Sequence, residues 1–140
     1  MFNYSKEIEG EYCGYTYKDI LPNGQTIEFI FYDWHEDDVF TVSMEIYSKR
    51  KKRSRDFLES TGKCGISGLI LAKLVLECFI EYLKEITPIG KSKQIMVHAS
   101  DNKRKRIYKR HLSKLGFVYT RTKFKDMAMC IDINGKKEDD

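Results

Sequence analysis

Residues 67–85 read SGLILAKLVLECFIEYLKE, and this stretch decides the fold. Lys73, Glu77, Glu81 and Lys84 recur every three or four residues and make one narrow charged stripe. Leu69, Leu71, Leu74, Val75, Leu76, Phe79, Ile80 and Leu83 fill the rest. The period is helical, and so wide an apolar face predicts a helix buried on most sides, for example laid across a sheet. Lys73 and Glu77 stand four apart, where an ion pair adds about 0.2–0.5 kcal/mol. Pro88 and Gly90 end the segment. The longest apolar stretch, 66–83, is interrupted by Lys73, Glu77 and Glu81, so no membrane span is expected.

Upstream, most of the aromatic residues lie within 1–48, and aromatic and β-branched enrichment points to strands. Tyr12–Leu21 runs into Pro22-Asn23-Gly24, where proline presets one dihedral and Asn-Gly accepts positive φ. Thr26–Trp34 follows, with Ile27, Phe29 and Phe31 on one face. After Glu36-Asp37-Asp38, Val39–Tyr47 alternates strictly: Phe40, Val42, Met44 and Ile46 against Thr41, Ser43, Glu45 and Tyr47. These segments predict an antiparallel meander of three strands. The basic run Lys49–Arg55 has no apolar residue to bury and reads as a loop or exposed turn. Asp56–Ser60 reads as a short helix, and Gly62, Gly65 and Gly68 as a glycine loop.

Downstream, Gln94–Ala99 is apolar on both faces and reads as an interior strand. Ser100-Asp101-Asn102 offers N-cap chemistry for a helix over 102–115, basic on one side and lined by Ile107, Tyr108, His111, Leu112 and Leu115 on the other. Gly116 and Phe117 match a helix-ending glycine and the apolar residue after it. Phe117–Thr122 and Met127–Ile133 read as a closing antiparallel pair. The expected class is α/β with a mixed sheet, in the order β-β-β-α-β-α-β-β. The long helix would be a crossover between parallel strands. One domain covers 1–140, with 134–140 as a polar tail.

A chain of 140 residues buries about two-thirds of its unfolded surface and needs no disulfide to hold it. Its 41% hydrophobic and 33% charged residues exclude a disordered chain, and a net charge of +4 excludes a histone-like binder. Cys13, Cys64, Cys78 and Cys130 form no Cys-x-x-Cys pair, and His35, His98 and His111 are scattered, so no metal is expected. The opening Met-Phe-Asn-Tyr-Ser-Lys lacks the order of a signal peptide, which predicts a cytoplasmic protein with free thiols.

A strand end, a glycine cluster and a helix start stand together at residues 47–68. Free backbone N–H groups and the helix dipole make such a place suited to anions. The other reading is a flexible turn. The run is neither a P-loop nor a dinucleotide fingerprint.

The stretch from Val39 to Ile133 resembles the GCN5-related N-acetyltransferase (GNAT) superfamily, which transfers acyl groups from acyl-coenzyme A to amines. The matching elements are a strand, Gly62-Lys63-Cys64-Gly65-Ile66-Ser67-Gly68-Leu69, the long helix, Ile95 to Asn102, and Ile107 to Phe117 with its Lys-Leu-Gly-Phe ending. The resemblance implies acetyl-coenzyme A as co-substrate and a sheet splayed between 39–47 and 94–99. Gly62, Lys63, Cys64, Gly65, Ile66, Ser67 and Gly68 would hold the pyrophosphate by backbone N–H groups. Ile46 and Tyr47, following Glu45, would hold the pantetheine arm like an added strand. Asp101, with Asn102, falls where the family has an Asn after its fifth strand. Glu45 lies beside the acyl group, where a general base is found. The family's loop reads Gln/Arg-x-x-Gly-x-Gly/Ala; here Gly62 and Ser67 stand at two of those positions. Leu112 occupies the position of the family's catalytic Tyr, so Tyr108, one turn earlier, would serve as general acid. The family's two helices between its first strands are absent.

Each residue has a second reading. Tyr108 is otherwise core packing, Glu45 a solvent-facing strand residue, and His98 a satisfied core histidine. Cys64 is a small loop residue rather than a nucleophile. The basic runs Lys49–Arg55 and Lys103–Arg110 suit either coenzyme A phosphates or a nucleic-acid backbone. The alternative function is therefore a catalytically inactive GNAT-like module binding nucleic acid or a protein partner, and an exposed sheet face or edge would also serve a homodimer.

Overall fold

The structure, a computed structural model, describes residues 3–8, 12–48, 51–54, 65–99 and 101–138. The alternating segments do form strands. β2 (Tyr12–Ile20), β3 (Thr26–Trp34) and β4 (Val39–Ser48) make the meander. Gly24 turns the first hairpin at φ 85°, with Leu21 and Gln25 closing it through a backbone bond of 2.8 Å. A 3-10 turn, His35–Asp37, makes the second corner, and Asp38 leaves it in the left-handed region.

Two strands exceed the expectation. β1 (Asn3–Ile8) pairs with β2, so the meander has four strands. β5 (Lys51–Ser54) lies within the basic run and pairs with β4, which corrects its reading as a loop. A sheet edge needs main-chain donors and acceptors but no apolar side chain, so a charged stretch can occupy it. The short helix expected at Asp56–Ser60 lies outside the described residues.

Helix α1 spans Gly65–Ile86 and leads to β6 (Ser92–Val97); α2 (Asn102–Leu112) continues as a 3-10 turn to Leu115. Gly116 ends it at φ 103°, and Phe117 N donates to Leu112 O. β7 (Val118–Arg121) and β8 (Met127–Asn134) close the chain. The eight strands form one mixed sheet in the order β1-β2-β3-β4-β6-β8-β7, with β5 also on β4. β4 and β6 are the parallel neighbours that the crossover helix requires.

Both helices pack on one sheet face. Val75, Leu76, Phe79, Ile80 and Leu83 of α1 and Tyr108 and Leu112 of α2 share a core with Phe29, Phe31, Phe40, Ile95, Val97, Met129 and Ile133. A helix in a two-layer fold buries one side only. Ile70 (56% exposed) and Leu74 (53%) accordingly face outward, which corrects the expectation of burial on most sides. Among the described residues the ion pair along α1 is Glu81–Lys84 at 3.0 Å, not Lys73–Glu77. On the opposite sheet face, Val39, Met96, Ala128 and Cys130 form a smaller cluster with Trp34. The tail is strapped down: Lys136 N donates to Lys84 O, Gly135 N to Lys91 O, and Lys137 bridges Pro88. No helix among the described residues is long and apolar enough to cross a membrane.

Candidate functional site

β4 and β6 pair at three positions only: Val39–Gln94, Phe40–Ile95 and Thr41–Met96. Beyond Thr41 β4 runs on to Ser48, whereas β6 ends at Val97, one residue past its last pair. Higher on β4, Ile46 pairs with Ser54 and Ser48 with Lys51 of β5. Since β3 follows the other edge of β4 from Val39 to Tyr47, β5 and β6 share one edge. Among the described residues, Val42 to Met44 are paired with neither β5 nor β6.

The amino ends of both helices point to this end of the sheet. The carboxyl end of α1 is tied beside the start of β6, where Lys84 O meets Lys136 N just past β8. The amino end of this 22-residue helix therefore lies toward the carboxyl ends of β4 and β6. α2 starts five residues after β6 ends. Helix amino ends carry free N–H groups and partial positive charge. α2 adds Lys103, Arg106, Lys109 and Arg110, all exposed. Lys105 and Lys109 sit over the Tyr119 ring, 5.3 and 4.3 Å from its centroid. His111 lies on the same helix; burial and the cations Lys114, Lys73 and Arg110 hold its pKa below the ordinary value, so it adds no charge there at neutral pH.

The residues singled out by sequence fall as follows. Gly62, Lys63 and Cys64 lie outside the described residues. Gly65, Ile66, Ser67 and Gly68 are the first residues of α1, not a loop. Glycine is tolerated there because the first turn lacks intrahelical N–H bonds to lose. Ile46, next to Tyr47, already pairs with Ser54 of β5, so this backbone is not left for an added strand. Glu45 is fully buried (0% exposed), which corrects its solvent-facing reading; it stands opposite Glu28, which Lys18 pairs at 3.6 Å. Asp101 is the N-cap of α2: its Oδ1 accepts from Arg104 N at 2.7 Å, and its Oδ2 pairs with the Arg104 guanidinium. These bonds hold its pKa below the usual carboxylate range. Asn102 is exposed at the first position of α2. Tyr108 is 1% exposed and belongs to the core with Leu112.

His98 was read as a core histidine, and the structure corrects this. β6 ends at Val97, one residue earlier, and the His98 side chain is 39% exposed. Its Nε2 lies 2.9 Å from Asp126 Oδ2 in the β7–β8 turn. The other Asp126 oxygen accepts from the Thr122 hydroxyl, across the base of the turn. No spacing rule links residues 98 and 126; only the β6–β8 register brings them together. That register, Val97 opposite Met129, carries His98 opposite Ala128 and makes Asp126 its diagonal neighbour on the same face. On the parallel side, Thr41 pairs with Met96, the last such pair, and Ser43 follows on β4. The Ser43 hydroxyl is buried and has no partner among the described residues. Trp34 Nε1 donates to Thr41 Oγ1 at 2.8 Å below it, and Phe124 at the turn's tip packs on Trp34.

Among the described residues no group of three His, Cys, Asp or Glu side chains is placed to hold a metal ion. Comparison of the chain with protein-family models, curated proteins and solved structures finds no match.

Proposed function

We propose that this chain is a GNAT-like acyl-coenzyme A-binding protein that transfers an acetyl group to an amine at the cleft between β4 and β6. The observation that carries this reading is a short parallel strand pair bridged by a long helix, with two helix amino ends at the carboxyl ends of both strands. The edge of β4 at Val42 to Met44, which neither β5 nor β6 pairs among the described residues, would supply main-chain groups for an extended pantetheine arm, as a neighbouring strand would. The first turn of α1, with Gly65 and Gly68, suits the pyrophosphate, since anions are favoured at free N–H groups. The cations of α2 suit the 3′-phosphate. The reaction is direct attack of an amine on the thioester, with orientation and fixed dipoles supplying most of the rate. Tyr108 serves packing in this reading, because its ring is enclosed in the core.

A second reading is favoured by the exposed cations of α2: a module without catalysis that binds a nucleic-acid backbone. Thermal unfolding with acetyl-coenzyme A decides. A ligand at 100 times its dissociation constant adds about 2.7 kcal/mol. A rise in melting temperature at millimolar acetyl-coenzyme A supports the first reading, and no rise overturns it. Duplex DNA binding tighter than micromolar at physiological salt, indifferent to coenzyme A, supports the second. Its log–log salt slope should then fall by about 0.9 for each phosphate contact removed from α2.

A further inference from the structure

We infer that the sheet edge at β7, beside α2, docks an extended peptide in which acidic and apolar residues alternate. The inference is independent of the acyl-transfer reading. It begins with charge. Residues 102–125 hold ten Lys or Arg and no Asp or Glu. The chain's net charge is +4, so the remainder is negative by six. The cations are thus gathered into α2, β7 and the turn after it. These elements meet in space: Lys105 and Lys109 of α2 stand 5.3 and 4.3 Å from the centroid of the Tyr119 ring on β7.

β7 is the last strand of the sheet, and among the described residues it pairs with β8 alone. Thr122 N donates to Asp126 O at 2.7 Å, which makes that pair a hydrogen-bonded one. Hydrogen-bonded and open pairs alternate along an antiparallel ladder. Val118 and Thr120 therefore aim their main-chain groups at β8, while Tyr119 and Arg121 aim theirs outward. The two faces of the edge also differ. Tyr119 pairs with Met129, a core residue, so it lies with Arg121 on the helix side, where Lys105 and Lys109 reach. Val118 and Thr120 lie on the other side. Val118 is 63% exposed, and Thr120 and Arg121 are exposed as well.

A strand added here would set the residues opposite Tyr119 and Arg121 among cations, and the residue between them beside Val118. Acid, apolar, acid is the complementary pattern, with main-chain bonds fixing the register. A nucleic-acid backbone would use the charge but neither the outward main-chain groups nor Val118. A second copy of this chain would bring two cationic strips together, which like charges oppose. Two outward-facing residues make few bonds, so the charges supply most of the attraction.

The test titrates the full chain with a fluorescein-labelled peptide of alternating Glu and Val, read by anisotropy at physiological salt. The same residues arranged in two blocks serve as control. The alternating peptide should bind about tenfold tighter, because only it can offer main-chain bonds with both faces matched. Arg121→Ala should weaken it by about fivefold at most, the loss of one exposed ion pair. Arg121→Pro should weaken it a further two- to tenfold or so, since it also removes an outward N–H and leaves the β8 ladder intact. In the wild-type protein, the Tyr119 and Arg121 amide resonances should shift with peptide more than those of Val118 and Thr120. Equal affinity for the two peptides overturns the inference, as do unmoved Tyr119 and Arg121 amides. Tighter binding of a duplex or single-stranded DNA that competes with the peptide also overturns it, and gives the surface to nucleic acid. So does a concentration-dependent dimer that Arg121→Pro abolishes.

Discussion

Phe79 of α1 lies face to face on Phe31 of β3, with ring centroids 3.8 Å apart and planes 20° from parallel. Tyr15 and Phe40 meet Phe79 edge-on at 5.5 and 5.3 Å. One helix residue thus joins β2, β3 and β4. Phe79→Ala removes the hub and leaves a cavity between layers, costing about 3–5 kcal/mol. Urea unfolding measures it. Phe79→Leu should cost less, and a loss under about 1 kcal/mol for the alanine variant contradicts the packing described.

Gly135 holds the tail against the end of α1. A β-carbon there would overlap the carbonyl oxygens of Thr87 and Pro88, which are backbone and cannot swing aside. Gly135→Ala should therefore destabilise by roughly 1–3 kcal/mol, although the residue follows the last strand. Hydrogen exchange should show the added opening at Lys136 and Lys137, whose amides bond to Lys84 and Thr87.

Asp101 spends its carboxylate on the α2 amino end. Asp101→Ala should cost about 1 kcal/mol, and Asp101→Asn or Asp101→Ser a smaller amount. If acetyl-coenzyme A binds, its thermal shift should survive in Asp101→Asn. Loss of that shift in a folded Asp101→Asn protein would show that the residue contacts the cofactor.

Cys130 is buried, and burial pushes its thiol up to about 11, with Asp132 and Asp126 adding to the shift. Iodoacetamide at pH 8 should label exposed Cys78 first and Cys130 only on unfolding. The pH effect has a definite sign. The unfolded thiol ionises near 8.5 while the folded one stays protonated, so the stability contribution is complete below about 8.5. It is lost as pH rises toward 11. Wild-type stability should fall more steeply across this window than that of Cys130→Ala.

Tyr108, the residue the family resemblance offered as proton donor, is enclosed with Leu112 in the core. If acyl transfer is measured, Tyr108→Phe should keep kcat within a few-fold, whereas a proton donor would cost about 100-fold or more. Such a loss with unchanged stability would return Tyr108 to the chemistry.

The elements that depend on period were legible in the sequence. Val39–Tyr47 alternates cleanly, and residues 67–85 repeat at helical spacing, so β4 and α1 were readable to within two residues of most ends. β5 was not, because Lys51 to Ser54 pairs through backbone alone and leaves no side-chain pattern. The exposure of Ile70 and Leu74 was hidden for a related reason: a period shows which face is apolar, not whether a second layer exists to cover it. The His98–Asp126 pair depends on the β6–β8 register across a 28-residue separation, which only the folded sheet supplies. Glu45 misled because alternation on a strand marks two faces without saying which of them meets water.

The edge that β4 shares between β6 and β5 bears on self-association. An open strand edge is a template for edge-to-edge aggregation. Here β6 closes the edge up to Thr41, and β5 closes it again from Ile46. At roughly 3.3 Å per residue, the four residues between span about 13 Å. That is shorter than a typical strand, and both ends are blocked, so a neighbouring chain finds too little length to zip onto. The division of one strand edge between β6 and β5 therefore guards the molecule against polymerising through it.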